Sequence, residues 1–148
     1  MGNVNETQNE WTLWNLADEF FFAAKELGNS YNPDRVEKAS YYLCAHSLEL
    51  AFKCYLHRNG VSLDELKRDY GHDLEKALSK AKQFGFATSF GVDSKYEQVV
   101  TELNKYYSVK DLEYMKINGM LSIPPLSNIK ELVDKTLGVL AMVLSDHL

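Results

Sequence analysis

Residues 32–60 read NPDRVEKASYYLCAHSLELAFKCYLHRNG, and this stretch decides the fold. Asn32 offers a cap oxygen and Pro33 the preset φ of a first helical turn. No breaker follows until Gly60, so the spacing predicts one helix of about 26 residues. At about 100° per residue, Tyr42, His46, Glu49, Lys53 and His57 fall within one narrow arc. Leu43, Cys44, Ala45, Leu48, Leu50, Ala51, Phe52, Cys54, Tyr55 and Leu56 cover most of the remaining circumference. A helix apolar nearly all round is a central, buried one. Charges on such a helix need partners or a cleft, because an unpaired buried charge is strongly unfavourable.

The flanking sequence continues in helical period. From Glu10 to Leu27 the apolar residues Leu13, Leu16, Ala17, Phe20, Ala24 and Leu27 recur at threes and fours, with Gly28 as a left-handed stop. Ser62 and Glu65 have capping-box spacing and open a short helix that stops near Gly71. His72 or Asp73 caps the next helix, which runs through LEKALSKAKQF to Gly85, and Asp93 caps another reaching about Tyr107. Asn128 with Glu131 repeats the capping-box spacing ahead of a terminal helix with the face Leu132, Val133, Leu137, Leu140, Ala141 and Leu144. Ser108 to Ser127, with Asn118-Gly119 and Pro124-Pro125, lacks that period and reads as a long loop with room for one short hairpin. The expectation is an all-α protein: a single up-and-down bundle of about five to six helices, with one long loop before the C-terminal helix, in one domain spanning 1–148.

Composition narrows the functional classes. A chain of 148 residues, 45% hydrophobic and 25% charged, can build one full core and is not a disordered chain. A net charge of −5 argues against broad affinity for nucleic acid or anionic membrane, so any anion site must be local. No apolar run approaches the roughly 20 residues of a membrane span, and the first residues, MGNVNETQNEW, carry no secretory or myristoylation signal. The expected location is cytoplasmic, without membrane association. Cys44 and Cys54, ten residues apart on one helix, lie roughly 15 Å apart and cannot bridge.

Two concentrations of polar residues stand out. The first is the edge of the long helix. Its histidines, His46 and His57, are roughly 16 Å apart and cannot share an ion, so no metal and no cofactor is expected. The second is Lys67-Arg68-Asp69-Tyr70-Gly71-His72-Asp73, which delivers a histidine to a helix start, where free amides and the dipole favour a phosphate. Between Lys53 and Lys82 seven basic residues face five acidic ones, within an acidic chain. Together these features nominate Tyr42, His46, Glu49, Lys53, His57, Arg68, His72 and Asp73 as ligand-binding residues, with tyrosines available to stack a base. The 18 aromatic residues exceed what one helix face can bury, so some of them are expected at an interface. An alternative is a noncatalytic assembly module whose polar network is purely structural.

Glu49-Leu50 with Lys53, followed by His72-Asp73-Leu74, resembles the HEPN superfamily, in which a long helix with an E-L-x-x-K pattern precedes a turn carrying H-D-L. The resemblance covers about 40 of the 148 residues. It implies a single HEPN-like helical domain that dimerises, places its polar residues at a cleft, and works with a nucleotide, RNA or a partner protein of a toxin–antitoxin pair or phage-defence system. Nuclease members carry an arginine and a histidine with four to six residues between them. Here Arg68 and His72 are separated by three residues, and Lys67 has the gap without the planar guanidinium fork. Should the chain be a metal-independent ribonuclease, His72 would act as general acid or base and Arg68 would stabilise the developing charge.

Overall fold

The computed structural model describes residues 4–109 and 123–146. Those residues form an all-α bundle of seven α-helices, with no strand among them. The first, α1 (Val4–Gly28), starts ahead of the predicted Glu10, because the polar NETQN segment is compatible with helix but contributes no apolar period. Gly28 closes it without a left-handed φ, contrary to expectation. The end is instead tied by the Ser30 hydroxyl, which donates to the Leu27 carbonyl at 2.7 Å. A Cβ at Gly28 would lie 2.7 Å from Lys130 Nζ, the far end of a flexible side chain that can move aside, so packing against the last helix does not by itself demand glycine here.

Pro33–Val36 forms a 3₁₀ turn that runs into α2 (Glu37–Arg58). The Asn32 side chain makes no capping bond; its carbonyl accepts from Arg35 N–H at 3.2 Å, so the proline and not the asparagine side chain sets the entry. Thirteen of the 22 residues of α2 are buried, on several sides, which makes it the central helix. Gly60, at φ +99°, supplies the reversal after it.

Ser62 caps α3 (Leu63–Glu65), accepting from Glu65 N–H at 3.1 Å. The chain then widens into a π turn over Leu66–Tyr70, broken by Gly71 at φ +49°. Helix α4 (Leu74–Gln83) is capped by Asp73, and Gly85, at φ +92°, separates it from α5 (Phe86–Ser89), a turn the sequence reading does not foresee. Tertiary packing explains α5: Phe86 and Phe90 stack at 3.9 Å, both fully buried, and Tyr55 meets both rings edge-on. Helix α6 (Ser94–Tyr107) is capped by Asp93 as expected.

Helix α7 (Leu126–Ser145) begins before Asn128, so the predicted Asn128/Glu131 box does not open it. Pro125 sits at the cap instead, and its carbonyl accepts from Asn128 N–H at 3.0 Å. The expected hairpin about Asn118-Gly119 lies outside the described residues.

Helix α1 runs antiparallel to both α2 and α7. Ser47 Oγ donates to the Ala17 carbonyl at 2.6 Å and Cys54 Sγ to that of Glu10 at 3.1 Å, while Trp14 Nε1 donates to the Leu137 carbonyl at 3.0 Å. Tyr41 ties the start of α7 to α2 through the Pro124 carbonyl at 2.8 Å. Cys44 and Cys54 are free and fully buried, and burial pushes both thiols up to about 12, so they act as core residues. Among the described residues no helix is long and apolar enough to cross a membrane.

Candidate functional site

The polar edge of α2 meets the His72 turn at Glu49. This carboxylate is only 4% exposed, and three elements supply donors to it. Lys53, one turn on along α2, reaches Oε2 at 3.1 Å; His72 Nδ1, from the turn before α4, reaches Oε1 at 2.6 Å; Tyr107, from the end of α6, donates to Oε1 at 2.7 Å. Burial alone would push the Glu49 carboxyl up. The Lys53 charge and the hydrogen bonds from His72, Tyr107 and Lys53 outweigh it and hold the group below its ordinary value. Glu49 is therefore an ionised acceptor at neutral pH, and a carbonyl-type acceptor requires hydrogen on His72 Nδ1. The His72 side chain is 39% exposed, the Lys53 side chain 14%, so the imidazole is where the cluster opens toward solvent.

His46 extends the cluster one turn toward the start of α2. Its Nδ1 lies 2.8 Å from the Tyr107 hydroxyl, Tyr42 lies parallel to its ring at 5.9 Å, and Phe20 of α1 packs edge-on at 4.6 Å. Aromatic side chains thus line one side of the ionisable groups, and Tyr107 contacts both histidines, meeting the His72 ring edge-on at 5.6 Å.

The remaining nominated residues lie elsewhere. His57 shares the helical edge but not the cluster: its Nδ1 donates to the Val61 carbonyl at 2.9 Å, and its Nε2 is buried without a partner. It borders a separate cavity of about 500 Å³ with Glu10, Arg58 and Asp64. Arg68 stands on the π turn with its side chain 68% exposed, gripping Asp69 through both ends of its fork at 2.9 and 3.1 Å. None of those bonds leads to the cluster. Asp73 serves as the cap of α4, accepting from Lys76 N–H at 3.1 Å.

That cap corrects the expectation of a phosphate at the start of α4. Leu74 N–H is taken by Asn104 Oδ1 at 2.8 Å and Lys76 N–H by Asp73, and the Asp73 and Glu75 carboxylates both receive the Asn104 amide, at 3.1 and 3.4 Å. Amides already satisfied and flanked by two carboxylates are a poor cradle for an anion. What faces outward here is the imidazole.

Asn104 and Tyr107, three apart on α6, are the two site residues that sequence reasoning missed. The available signal was Asn104 itself, an amide on the otherwise apolar and aromatic face of Tyr96, Val99, Val100, Leu103 and Tyr107. A buried amide must find partners, and here it finds the start of α4, fixing the turn that carries His72.

Among the described residues no three potential ligands gather as a metal site. Comparison with protein-family models, with curated proteins and with solved structures returns no match. The reading of this site therefore rests on its own chemistry and on the residues that carry the HEPN resemblance.

Proposed function

We propose that the chain is a HEPN-like helical module that works as a homodimer and binds an anionic ligand, a nucleotide or RNA, where the polar edge of α2 meets the His72 turn, in a toxin–antitoxin or phage-defence setting. The observation that carries this reading is the carboxylate of Glu49, almost fully buried yet holding an ammonium and an imidazole in fixed positions, with the imidazole exposed. Stability alone gives little reason for such a cluster, since apolar residues of similar volume often serve as well. Positioning polar groups for a ligand does. His72 and Lys53 are the groups that would meet phosphate, and Tyr42, whose ring lies 6.1 Å from that of Tyr107, is the ring assigned to a base.

The test is fluorescence anisotropy with a labelled single-stranded RNA and a labelled ATP, at low salt. His72→Ala and Lys53→Ala should each weaken binding by about tenfold or more, the usual magnitude for losing a charge-assisted hydrogen bond. His57→Ala, two turns from Glu49, should not. A folded wild-type protein that binds neither probe overturns the reading, and a monomeric mass by light scattering at high concentration removes the homodimer.

One observation favours a second reading, the metal-independent ribonuclease. His72 is held by a carboxylate through Nδ1, and its Nε2 has no partner among the described residues, the arrangement a general acid or base requires. Arg68, engaged with Asp69, is the weak element of that reading. RNA degradation abolished by His72→Ala, with the helical circular dichroism unchanged, would establish it. Absence of both binding and degradation would leave an assembly module in which the network is structural.

A further inference from the structure

His46, Tyr107, Glu49 and His72 are joined by three consecutive contacts: His46 Nδ1 to Tyr107 Oη at 2.8 Å, Tyr107 Oη to Glu49 Oε1 at 2.7 Å, and Glu49 Oε1 to His72 Nδ1 at 2.6 Å. Elementary hydrogen-bond chemistry fixes where the protons lie. An ionised carboxylate only accepts. Two oxygens 2.7 Å apart, one of them negatively charged, require a proton between them, and Tyr107 is the partner that has one to give. A phenol carries a single O–H. With that proton directed to Glu49, the phenolic oxygen can only accept from His46, so His46 Nδ1 must carry hydrogen. The same rule at the other end puts hydrogen on His72 Nδ1.

We infer that Glu49 and Tyr107 are positioning residues that impose one protonation pattern on two imidazoles, each holding its hydrogen on Nδ1, and so assign Nε2 of His72 to the ligand side of the site. The pattern is informative because unconstrained neutral histidine favours hydrogen on Nε2. The other groups around the chain fit it: Lys53 neutralises the second oxygen of Glu49, and Tyr42 and Phe20 contact the His46 ring through their own rings. Only the role given to Nε2 rests on the binding reading above; the proton order stands apart from it.

Long-range ¹H–¹⁵N correlation spectra of the full chain, labelled at histidine and recorded above the titration range of ordinary imidazoles, report which ring nitrogen carries hydrogen. In the wild type, Nδ1 of both His46 and His72 should be protonated. Tyr107→Phe removes the acceptor for His46, whose hydrogen should move to Nε2, while His72 keeps its pattern through Glu49. Glu49→Leu should also move the hydrogen of His46, although the two side chains share no bond, because Tyr107 is then released to donate the other way. A merely structural role for Tyr107 would change neither tautomer. If wild-type His46 or His72 carries hydrogen on Nε2 alone, or if Tyr107→Phe leaves His46 unchanged, the inference is overturned; the Tyr107→Phe arm decides it even should Glu49→Leu fail to fold. Titration with inorganic phosphate separates the two proposals: unperturbed Nε2 of His72 alongside the expected proton order would uphold the positioning roles and count against binding at that nitrogen.

Discussion

Glu49 and His57 stand on the same edge of the same helix, two turns apart, and their surroundings differ in kind. At Glu49 three elements converge, and each oxygen of the carboxylate is engaged. At His57 the ring bonds to the carbonyl of Val61, four residues on, and among the described residues its buried Nε2 has no partner. A line of polar residues on a helix is thus not one site. Two turns are roughly 11 Å along the axis, enough for one end to reach the His72 turn and α6 while the other meets its own loop. The lesson is that a polar edge must be divided by what faces it before a role is assigned to any member.

The comparison can be broken by substitution, and the largest effect belongs to Glu49. Glu49→Ala removes the shared acceptor and leaves Lys53 and Tyr107 without it in a largely buried setting; stability should fall by about 3–5 kcal/mol, read from urea midpoints. The same carboxyl predicts an acid response. Its folded value lies below its ordinary value of 4.5, so the unfolded chain binds its proton first as pH falls. The stabilisation is fully present above that ordinary value and disappears as pH drops through the folded one. Urea midpoints of the wild type should therefore fall below about pH 4.5, and Glu49→Gln should lack that part of the fall.

Next in size is Asn104→Ala, which strands the buried Leu74 N–H and should cost about 1–3 kcal/mol. It should also weaken probe binding at His72, since Asn104 anchors the start of α4. His57→Leu should change stability by no more than about 1 kcal/mol, because the lost bond to Val61 is offset by removal of the orphaned nitrogen. A larger loss at His57 than at Asn104 would reverse the ranking of the two ends. Smallest is Arg68→Ala, whose exposed pair with Asp69 is open to solvent on both sides; the urea midpoint should not move, and any effect on RNA would then be read as a ligand contact.

Much of the fold was legible because its signals are short-range. The caps at Ser62, Asp73 and Asp93 each act within three residues, and the apolar circumference of the long helix announces a buried element without reference to anything else. Errors gathered where a local signal had competitors. Asn32 and Asn128 looked like caps, but a nearby proline, Pro33 or Pro125, stood at each helix entry; Gly28 looked like a left-handed stop, but the Ser30 hydroxyl took the Leu27 carbonyl at that end. The site was half legible. Glu49, Lys53 and His46 could be aligned by helical arithmetic, whereas Tyr107 is 58 residues from Glu49 and offered nothing local to mark it.

By itself the sequence determined that the fold is all-α, which helix is central, and that this helix carries a charged edge in need of partners, because periodicity and capping are written into neighbouring residues. Only the tertiary structure decided that His72 and Tyr107 share one oxygen of Glu49, that His57 and Arg68 stand apart, and that Asn104 occupies the start of α4. Those outcomes depend on how distant helices pack, and hydrogen bonds tolerate errors of only a few tenths of an ångström. No spacing rule along one helix carries that precision across the bundle.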